Sequence, residues 1–199
     1  MAANLGATQQ WATRPLQLSL SILLLTQKIS IGFFKNIKRI CGGQIVKHKL
    51  AKTMKLNVLV AAAGAGKSTW AANNTNESPV IISSDEARFL ISGDESNQEC
   101  SGRAFAFMEV AVEMLLRQNK NVIVDATNTT RKSRKVWVAL GRKYGARIQM
   151  TVFNVPAALC KERNAQRARK VPEHVIDAMI ARLEVPTLAE CDEILTIEG

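Results

Sequence analysis

Residues 58–69 read Val-Leu-Val-Ala-Ala-Ala-Gly-Ala-Gly-Lys-Ser-Thr, and this stretch decides the fold. A short apolar run ends in a loop of small residues, after which Lys67 and Ser68 open a segment of helical character. This order predicts a strand, a loop and a helix. Gly64 and Gly66 allow the backbone N–H groups of the loop to wrap an anion as large as a polyphosphate, and the N-terminus of the following helix adds its positive end.

The side chains that follow the loop complete a nucleotide-binding pattern. Lys67 is expected to reach the β- and γ-phosphates of ATP, and the Ser68 hydroxyl is expected to bind Mg²⁺. The stretch departs from the strict phosphate-loop motif at one position, where Ala61 replaces the first glycine. The alternative interpretation is a glycine turn that joins a strand to a helix. The predicted nucleotide-binding residues are Ala63, Gly64, Ala65, Gly66, Lys67, Ser68 and Thr69.

The positive charge of the chain is concentrated in its first 53 residues. The chain carries 27 Lys and Arg residues against 17 Asp and Glu residues, a net charge of +10. Residues 1–53 contain eight of the basic residues and no acidic residue, which leaves 19 basic and 17 acidic residues in 54–199. The basic composition therefore says little about whether residues 54–199 bind nucleic acid.

Residues 1–53 form a basic, acid-free extension that we expect to be poorly ordered or outside the catalytic fold, and residues 54–199 are expected to form one domain. Three interpretations of the extension remain open. In the first, Met54 is the true start of the protein. In the second, the extension targets an otherwise cytoplasmic protein to an organelle. In the third, its apolar run at 16–25 associates with a membrane. We expect no membrane span, because that run is shorter than the roughly 18 apolar residues that a span needs.

Cysteine and histidine are too dispersed for a metal centre or a disulfide framework. No two cysteines form a Cys-x-x-Cys pair, and both histidines are isolated in the sequence. We therefore expect no structural metal and reduced thiols, as in cytoplasmic proteins. The residues concerned are Cys41, Cys100, Cys160, Cys191, His48 and His174.

Apolar runs alternate with amphipathic stretches after Met54, which indicates an α/β fold. A P-loop NTPase or kinase fold is predicted, with a central parallel sheet of about five strands and helices on both faces. The phosphate-binding loop then lies at the carboxyl edge of the sheet, where open α/β sheets bind ligands. The predicted strands are 56–62, 80–82, 121–125, 147–153 and 193–197. The predicted helices are 67–72, 85–91, 102–119, 130–144, 156–169 and 172–183.

Asp125 ends the third apolar run, within Val-Ile-Val-Asp-Ala-Thr-Asn at 122–128. An acidic residue at the end of a buried strand lies beside the phosphate-binding loop, where it can hold Mg²⁺ directly or through water. The same residues suit a turn or a helix cap, so a structural role for Asp125 is the alternative.

Asp85 and Arg88 follow the second strand, within Ser-Ser-Asp-Glu-Ala-Arg at 83–88. Their spacing of three puts them on one face of a helix. A carboxylate that accepts a proton from a hydroxyl and an arginine that holds an anion are the groups that phosphoryl transfer to an alcohol needs. The alternative is a capped helix start, with Asp85 near the cap and Arg88 in solvent.

A run of cationic residues precedes the Val171-Pro172 step. Residues 161–170 contain five basic residues and one acidic residue. In a nucleotide kinase such a segment can form a lid whose arginine stabilises charge on the transferred phosphoryl group. The alternative is a solvated helix end, where basic residues are favourable in any case.

Four motifs together resemble the 5′-kinase domain of the phage-type polynucleotide kinases, within the P-loop kinase superfamily. They are GAGKSTW, SSDEAR, VIVDATNTTRKSRKVW and RNAQRARKVPEHVI. The resemblance covers nearly all of 55–184, including Trp70 and the Val171-Pro172 step, and does not cover 1–53. It implies ATP-dependent phosphorylation of a 5′-hydroxyl at the end of a nucleic acid.

The resemblance also implies roles for individual residues. Lys67 and Ser68 match the phosphate and Mg²⁺ positions, and Arg163 is placed on the ATP side with them. Asp85 matches the general base and Arg167 the lid arginine of the family. The resemblance therefore implies that Asp85, Lys67 and Arg167 are the catalytic residues.

On the acceptor side, Arg88 matches the arginine that contacts the substrate phosphate, and Asn128 and Arg131 are expected to bind substrate beside Asp85. Asp125 is one position off the closest phage pattern, because one residue separates it from Thr-Asn, although other relatives share Asp-x-Thr-Asn. Basic residues at the start of the predicted helix 130–144 form either the candidate nucleic-acid footprint or a solvated surface. They are Arg131, Lys132, Arg134 and Lys135.

Three functions stay open: a polynucleotide 5′-kinase, a kinase for a small hydroxyl compound, and a nucleotide-hydrolysing switch or motor ATPase. Asp85 separates the kinases from the third class, because only transfer to an alcohol needs a base at that position. The near-neutral charge of 54–199 does not decide between nucleic acid and small acceptors. Neither the choice of DNA or RNA nor the oligomeric state follows from the residues.

Overall fold

The computed structural model describes residues 54–74 and 76–199. The three interpretations of residues 1–53 lie outside the described residues. Among the helices of the described part, none combines the length and apolar character that crossing a bilayer requires.

In the described part of the chain, five parallel strands form one sheet, in the order β2-β3-β1-β4-β5. The central strand β1 pairs with β3 on one side and β4 on the other, so that Val58 lies beside Val124 and Met150. This arrangement confirms the predicted α/β fold with a parallel sheet. The strands are β1 Lys55–Val60, β2 Val80–Ser83, β3 Val122–Asp125, β4 Arg147–Asn154 and β5 Glu193–Glu198.

Helices cover both faces of the sheet, as two separate hydrophobic cores show. Leu56, Val58 and Val60 of β1 pack with three helices on one face, whereas Leu59 packs with three further helices of the described residues on the opposite face. Alternate residues of a strand point to opposite faces, so a strand buried on both sides is largely apolar. The first face carries α2 Ser84–Ser92, α3 Ser101–Arg117 and α4 Arg131–Tyr144; the second carries α1 Lys67–Asn73, α5 Ala157–Ala165 and α6 Glu173–Ala181.

The predicted helix over 156–169 is wrong in its length, because α5 ends at Ala165. The Asn164 side chain explains the end: its Nδ2 donates to the Val171 carbonyl at 2.8 Å, and its Oδ1 accepts from the Val171 N–H at 3.0 Å. These two bonds fold the chain back across the helix end. The cationic residues 166–170 consequently lie in a loop. The polar segment 93–101 contains a 3₁₀ turn at Gln98–Cys100.

The parallel sheet places several loops at one edge. Ser83 at the end of β2 lies beside Asp125 at the end of β3 in the strand register. The Ala61 N–H, just after β1, donates to the Thr127 carbonyl, just after β3, at 3.0 Å. The residues that follow β1, β2 and β3 therefore meet at the carboxyl edge, the usual position of ligand sites in open α/β sheets.

Candidate active site at the carboxyl edge

The loop after β1 requires glycine for two different reasons. Gly64 has φ +82°, and a Cβ there would lie 2.1 Å from the Cys160 carbonyl oxygen. Gly66 has φ +92° in the left-handed region and is the N-cap of α1. Ala61 has no positive φ and its N–H is used by Thr127, so the missing first glycine costs the loop nothing. The loop presents its backbone and the N-terminus of α1 to the same space.

Lys67 lies at the centre of this edge. Its Nζ donates to the Ala62 carbonyl at 2.7 Å. Burial lowers the pKa of Lys67 below its ordinary value; the charges of Asp125 and Asp85 act against this, while that of Arg167 adds to it. These electrostatic partners place Lys67 among the two carboxylates and the arginine. A bound polyphosphate would place negative charge beside the Lys67 ammonium. That charge would stabilise the protonated form and raise the pKa of Lys67 again.

One pocket collects most residues of the predicted ATP side. It is lined by Gly64, Gly66, Lys67, Ser68, Thr69, Arg163 and Arg167. Arg163 overhangs the loop, since its Nη1 lies 3.9 Å from the place that a Cβ on Gly66 would take. Ala63 and Ala65 are buried and contribute backbone to the loop. The donor set of backbone N–H groups, one lysine and two arginines fits an anionic phosphate chain.

Asp125 is 6% exposed and ends β3 at this edge. Within residues 54–74 and 76–199, no hydrogen bond or ion pair engages its carboxylate. The helix-cap alternative is wrong, because Thr130 is the N-cap of α4 and forms a capping box with Ser133. A buried carboxylate and the exposed Ser68 hydroxyl are hard oxygen ligands, so their chemistry fits Mg²⁺.

Asp85 and Arg88 form an ion pair on α2. Ser83 is the N-cap of this helix, and its hydroxyl accepts from the Asp85 N–H at 3.2 Å. Arg88 is 6% exposed, and its Nε donates to the Glu95 carbonyl at 2.7 Å. The alternative that leaves Arg88 in solvent is therefore wrong. A fixed guanidinium lies beside a carboxylate whose side chain is 37% exposed.

Arg169 reaches Asp85 from the loop after α5, a contact that the sequence analysis missed. Its Nη1 lies 3.3 Å from Asp85 Oδ2, while Arg88 engages Oδ1. The contact links the predicted acceptor side, on α2, to the cationic loop that also carries Arg167. In the sequence, only the cationic run at 161–170 indicates that a basic residue could reach the site, since no local spacing connects Arg169 with Asp85.

Asn128 corrects the predicted acceptor side. The side chain is 2% exposed; its Nδ2 donates to the Leu59 carbonyl at 2.9 Å and the Ala126 carbonyl at 3.3 Å. Its Oδ1 accepts from Trp137 Nε1 at 3.0 Å. These bonds use the amide inside the protein, so Asn128 ties β1 to the loop after β3 and to α4 instead of binding substrate.

Arg134 corrects the predicted nucleic-acid footprint. It is fully buried and pairs with Glu190 through Nε at 3.0 Å and Nη2 at 3.2 Å. Burial by itself would raise the pKa of Glu190, but the hydrogen bonds and charge of Arg134 lower it below its ordinary value. Arg131 is exposed and lies 3.4 Å from the same carboxylate. Of the four basic residues, Arg131, Lys132 and Lys135 remain on the surface.

Arg134→Ala is expected to lower the free energy of unfolding by roughly 3 kcal/mol, because it leaves the buried Glu190 charge without its buried partner and with only the exposed Arg131 at 3.4 Å among the described residues. It also removes the donor that binds the carbonyls of Asn128 and Thr129 at 3.1 and 3.3 Å. Urea denaturation measures the loss. Lys135→Ala, on the exposed side of the same helix, is the control and should stay within about 0.5 kcal/mol of the parent. Equal stability of the two variants would contradict a structural role for Arg134.

Comparisons with known proteins agree with this geometry. A putative bifunctional polynucleotide kinase/RNA ligase of Autographa californica nuclear polyhedrosis virus is 25% identical over an alignment of 169 residues, which covers 75% of this chain and 24% of the relative. A bifunctional polynucleotide phosphatase/kinase of Schizosaccharomyces pombe is 25% identical over an alignment of 148 residues, which covers 71% of this chain and 33% of the relative. The chain thus spans about a quarter to a third of the length of these curated relatives.

A solved structure extends the likeness to three dimensions. A chain in the structure of the Pnkp1/Rnl/Hen1 RNA repair complex matches with a TM-score of 0.60 and 30% identity, over 69% of this chain and 46% of that chain. A family model described as an AAA domain matches residues 56–186, which include the phosphate-binding loop, Asp85, Asp125 and the cationic loop. Because that match covers more than half of the sequence, the chain belongs to the AAA domain family AAA_33.

Proposed function

We propose that this protein is an ATP-dependent kinase that transfers the γ-phosphoryl group to a 5′-hydroxyl of DNA or RNA. The observation that carries the proposal is the position of Asp85: a partly exposed carboxylate at the carboxyl edge, held between two arginines and electrostatically coupled to Lys67. The names of the relatives, polynucleotide kinase/ligase and polynucleotide phosphatase/kinase, support the same reaction.

On the ATP side, the glycine-bearing loop wraps the phosphates and Lys67 leaves the Ala62 carbonyl to contact the β- and γ-phosphates. Arg163 overhangs the same loop and holds the phosphate chain from the other side. Ser68 and Asp125 would hold Mg²⁺, which neutralises charge on the β- and γ-phosphate oxygens when bound.

On the acceptor side, Asp85 accepts the proton of the 5′-hydroxyl as its oxygen forms a bond to the γ-phosphorus. The bond between the γ-phosphorus and the β–γ bridging oxygen breaks, and ADP leaves with that oxygen. Arg167 stabilises charge on the phosphoryl group in transit. Arg169 occupies Asp85 Oδ2 in this structure, so the hydroxyl must take the place of that contact.

Arg88 is positioned to hold the phosphate just 3′ of the reacting hydroxyl, and Arg131 is the exposed residue that would extend this contact. The Glu95 carbonyl fixes the Arg88 guanidinium through Nε, which leaves its other nitrogens for Asp85 and an anion. A buried, oriented guanidinium binds phosphate better than a mobile one, because less side-chain entropy is lost on binding.

Arg88→Ala should lower kcat/KM for a 5′-hydroxyl oligonucleotide by roughly tenfold to hundredfold, since a charge-assisted contact is worth about 1.5–3 kcal/mol. The KM for ATP should stay nearly unchanged, and the salt dependence of acceptor KM should weaken. Steady-state kinetics with each substrate varied measure both effects. Lys120→Ala removes a positive charge before β3, at the opposite edge of the sheet, and should change neither. A rise in the KM for ATP with an unchanged acceptor KM would reverse the assignment of Arg88.

Transfer of label from γ-labelled ATP, with an oligonucleotide, a nucleoside and a sugar present together, tests the proposed function. We expect the label on the oligonucleotide even with the small acceptors in excess. Label on the nucleoside or sugar alone would establish the small-acceptor alternative. Release of labelled phosphate with every acceptor unlabelled would indicate the hydrolysing class.

A further inference from the structure

The helix that carries Asp85 also exposes two large apolar side chains. Phe89 is 58% exposed and Leu90 is 70% exposed. α2 buries Ala87 and Arg88 instead, and neither Phe89 nor Leu90 belongs to the two hydrophobic cores found in the described residues. Packing within the described part of the chain therefore does not account for an aromatic ring at position 89.

Phe89 stands one helical turn after the proposed base. Residues four apart on a helix have Cβ atoms about 5–6 Å apart, so Phe89 and Asp85 share a surface. Long helical side chains lean toward the N-terminus of their helix, so the Phe89 ring is expected to lie over the turn that contains Asp85. Leu90 lies about 100° further round the helix, on the 3.6-residue repeat, and faces away from that surface.

We propose that Phe89 is the stacking platform for the nucleobase of the 5′-terminal nucleotide of the acceptor. This inference rests on the proposed function. It names the feature that selects a nucleotide at the Asp85 site: the hydroxyl lies at Asp85, the following phosphate lies at Arg88, and the base lies on the ring of Phe89.

Stacking also explains why a site could favour a nucleic acid without reading its sequence. Every base has a π-face, so an aromatic platform accepts any of them. A sugar or a small alcohol has no such face and gains nothing from Phe89. The platform thus favours acceptors that carry a base, although residues 54–199 are almost neutral overall. Selection of an oligonucleotide over a nucleoside rests on the phosphate contact of Arg88.

Two 5′-hydroxyl oligonucleotides, identical except that one lacks the base of its first nucleotide, test the inference at saturating ATP. We expect the parent protein to use the complete oligonucleotide with a kcat/KM roughly tenfold higher than that for the abasic one. This factor lies in the lower part of the range of stabilisation that stacking one base provides. Phe89→Ala should lower kcat/KM for the complete oligonucleotide to the value of the abasic one and leave the KM for ATP unchanged. Phe89→Trp should keep the preference, and so should Leu90→Ala, the control on the same helix.

Each other outcome overturns the inference. If the parent protein shows no preference for the complete oligonucleotide, the ring does not stack on the terminal base. The same conclusion follows if Phe89→Ala and Phe89→Trp each lose kcat/KM equally on both oligonucleotides. A loss of preference in Leu90→Ala as large as in Phe89→Ala would mean a general effect on the helix. If the parent phosphorylates neither oligonucleotide, the proposed function itself fails, and the inference fails with it.

Discussion

Lys67→Ala is expected to lower the rate of phosphoryl transfer by roughly 10³-fold, the upper end of the range for loss of one charge-stabilising donor. The Nζ of Lys67 lies at the carboxyl edge, where within the described residues it donates a hydrogen bond only to the Ala62 carbonyl and interacts electrostatically with Asp125 and Asp85. Removal of the ammonium leaves the charge that develops on the β- and γ-phosphates without its nearest cation. Single-turnover transfer from labelled ATP measures the loss, together with thermal unfolding to check that the loop remains folded.

Lys55→Ala is the matched control for this variant. Lys55 begins β1, at the opposite end of the strand that leads to Lys67, and should be replaceable with activity near that of the parent protein. Activity of Lys67→Ala within a few-fold of the parent would remove the phosphate-binding loop from the mechanism.

Asp85→Asn is expected to lower kcat by between about 10²- and 10⁴-fold, the usual contribution of a general base, and to leave the affinity for ATP unchanged. Asparagine keeps the size of the side chain and still accepts a hydrogen bond from Arg88, but it does not take the proton of the hydroxyl. Equilibrium binding of an ATP analogue and single-turnover transfer separate the two effects.

Glu86→Gln is the control for Asp85→Asn, because Glu86 is the next residue on α2 and its side chain is exposed. We expect no change in either ATP affinity or turnover. If Asp85→Asn loses ATP affinity in step with turnover, Asp85 is a metal-binding or structural residue and not the base.

The sequence predicts this fold well because each strand, loop and helix is indicated by a pattern of neighbouring residues. The strand, loop and helix at 55–73 follow from apolar runs, the glycines and the lysine, all within a few residues of one another. A parallel sheet follows from the alternation of strands and helices. That sheet in turn brings Asp85 and Asp125 to the edge where the phosphate-binding loop lies, as expected.

The parts that the sequence does not predict depend on contacts between distant residues. Asn128 lies within one of the motifs that resemble the kinase family, yet its amide donates a hydrogen bond to the Leu59 carbonyl, 69 residues away. Arg134 sits in a basic run that suggests solvent or nucleic acid, and only its pairing with Glu190, 56 residues away, explains its burial. Arg169 and Asp85 meet because Asn164 ends α5 early and turns the loop, which helical periodicity does not encode.

The position of the transferred phosphate tests the central claim most directly. Labelled ATP is offered to two oligonucleotides of one sequence, one with a 5′-hydroxyl and one with a 5′-phosphate, both with free 3′-hydroxyls, and the labelled end is mapped. The account predicts label on the first oligonucleotide alone, at its 5′ end, and its loss in Asp85→Asn. Equal labelling of both oligonucleotides, or label at a 3′ end, would contradict it.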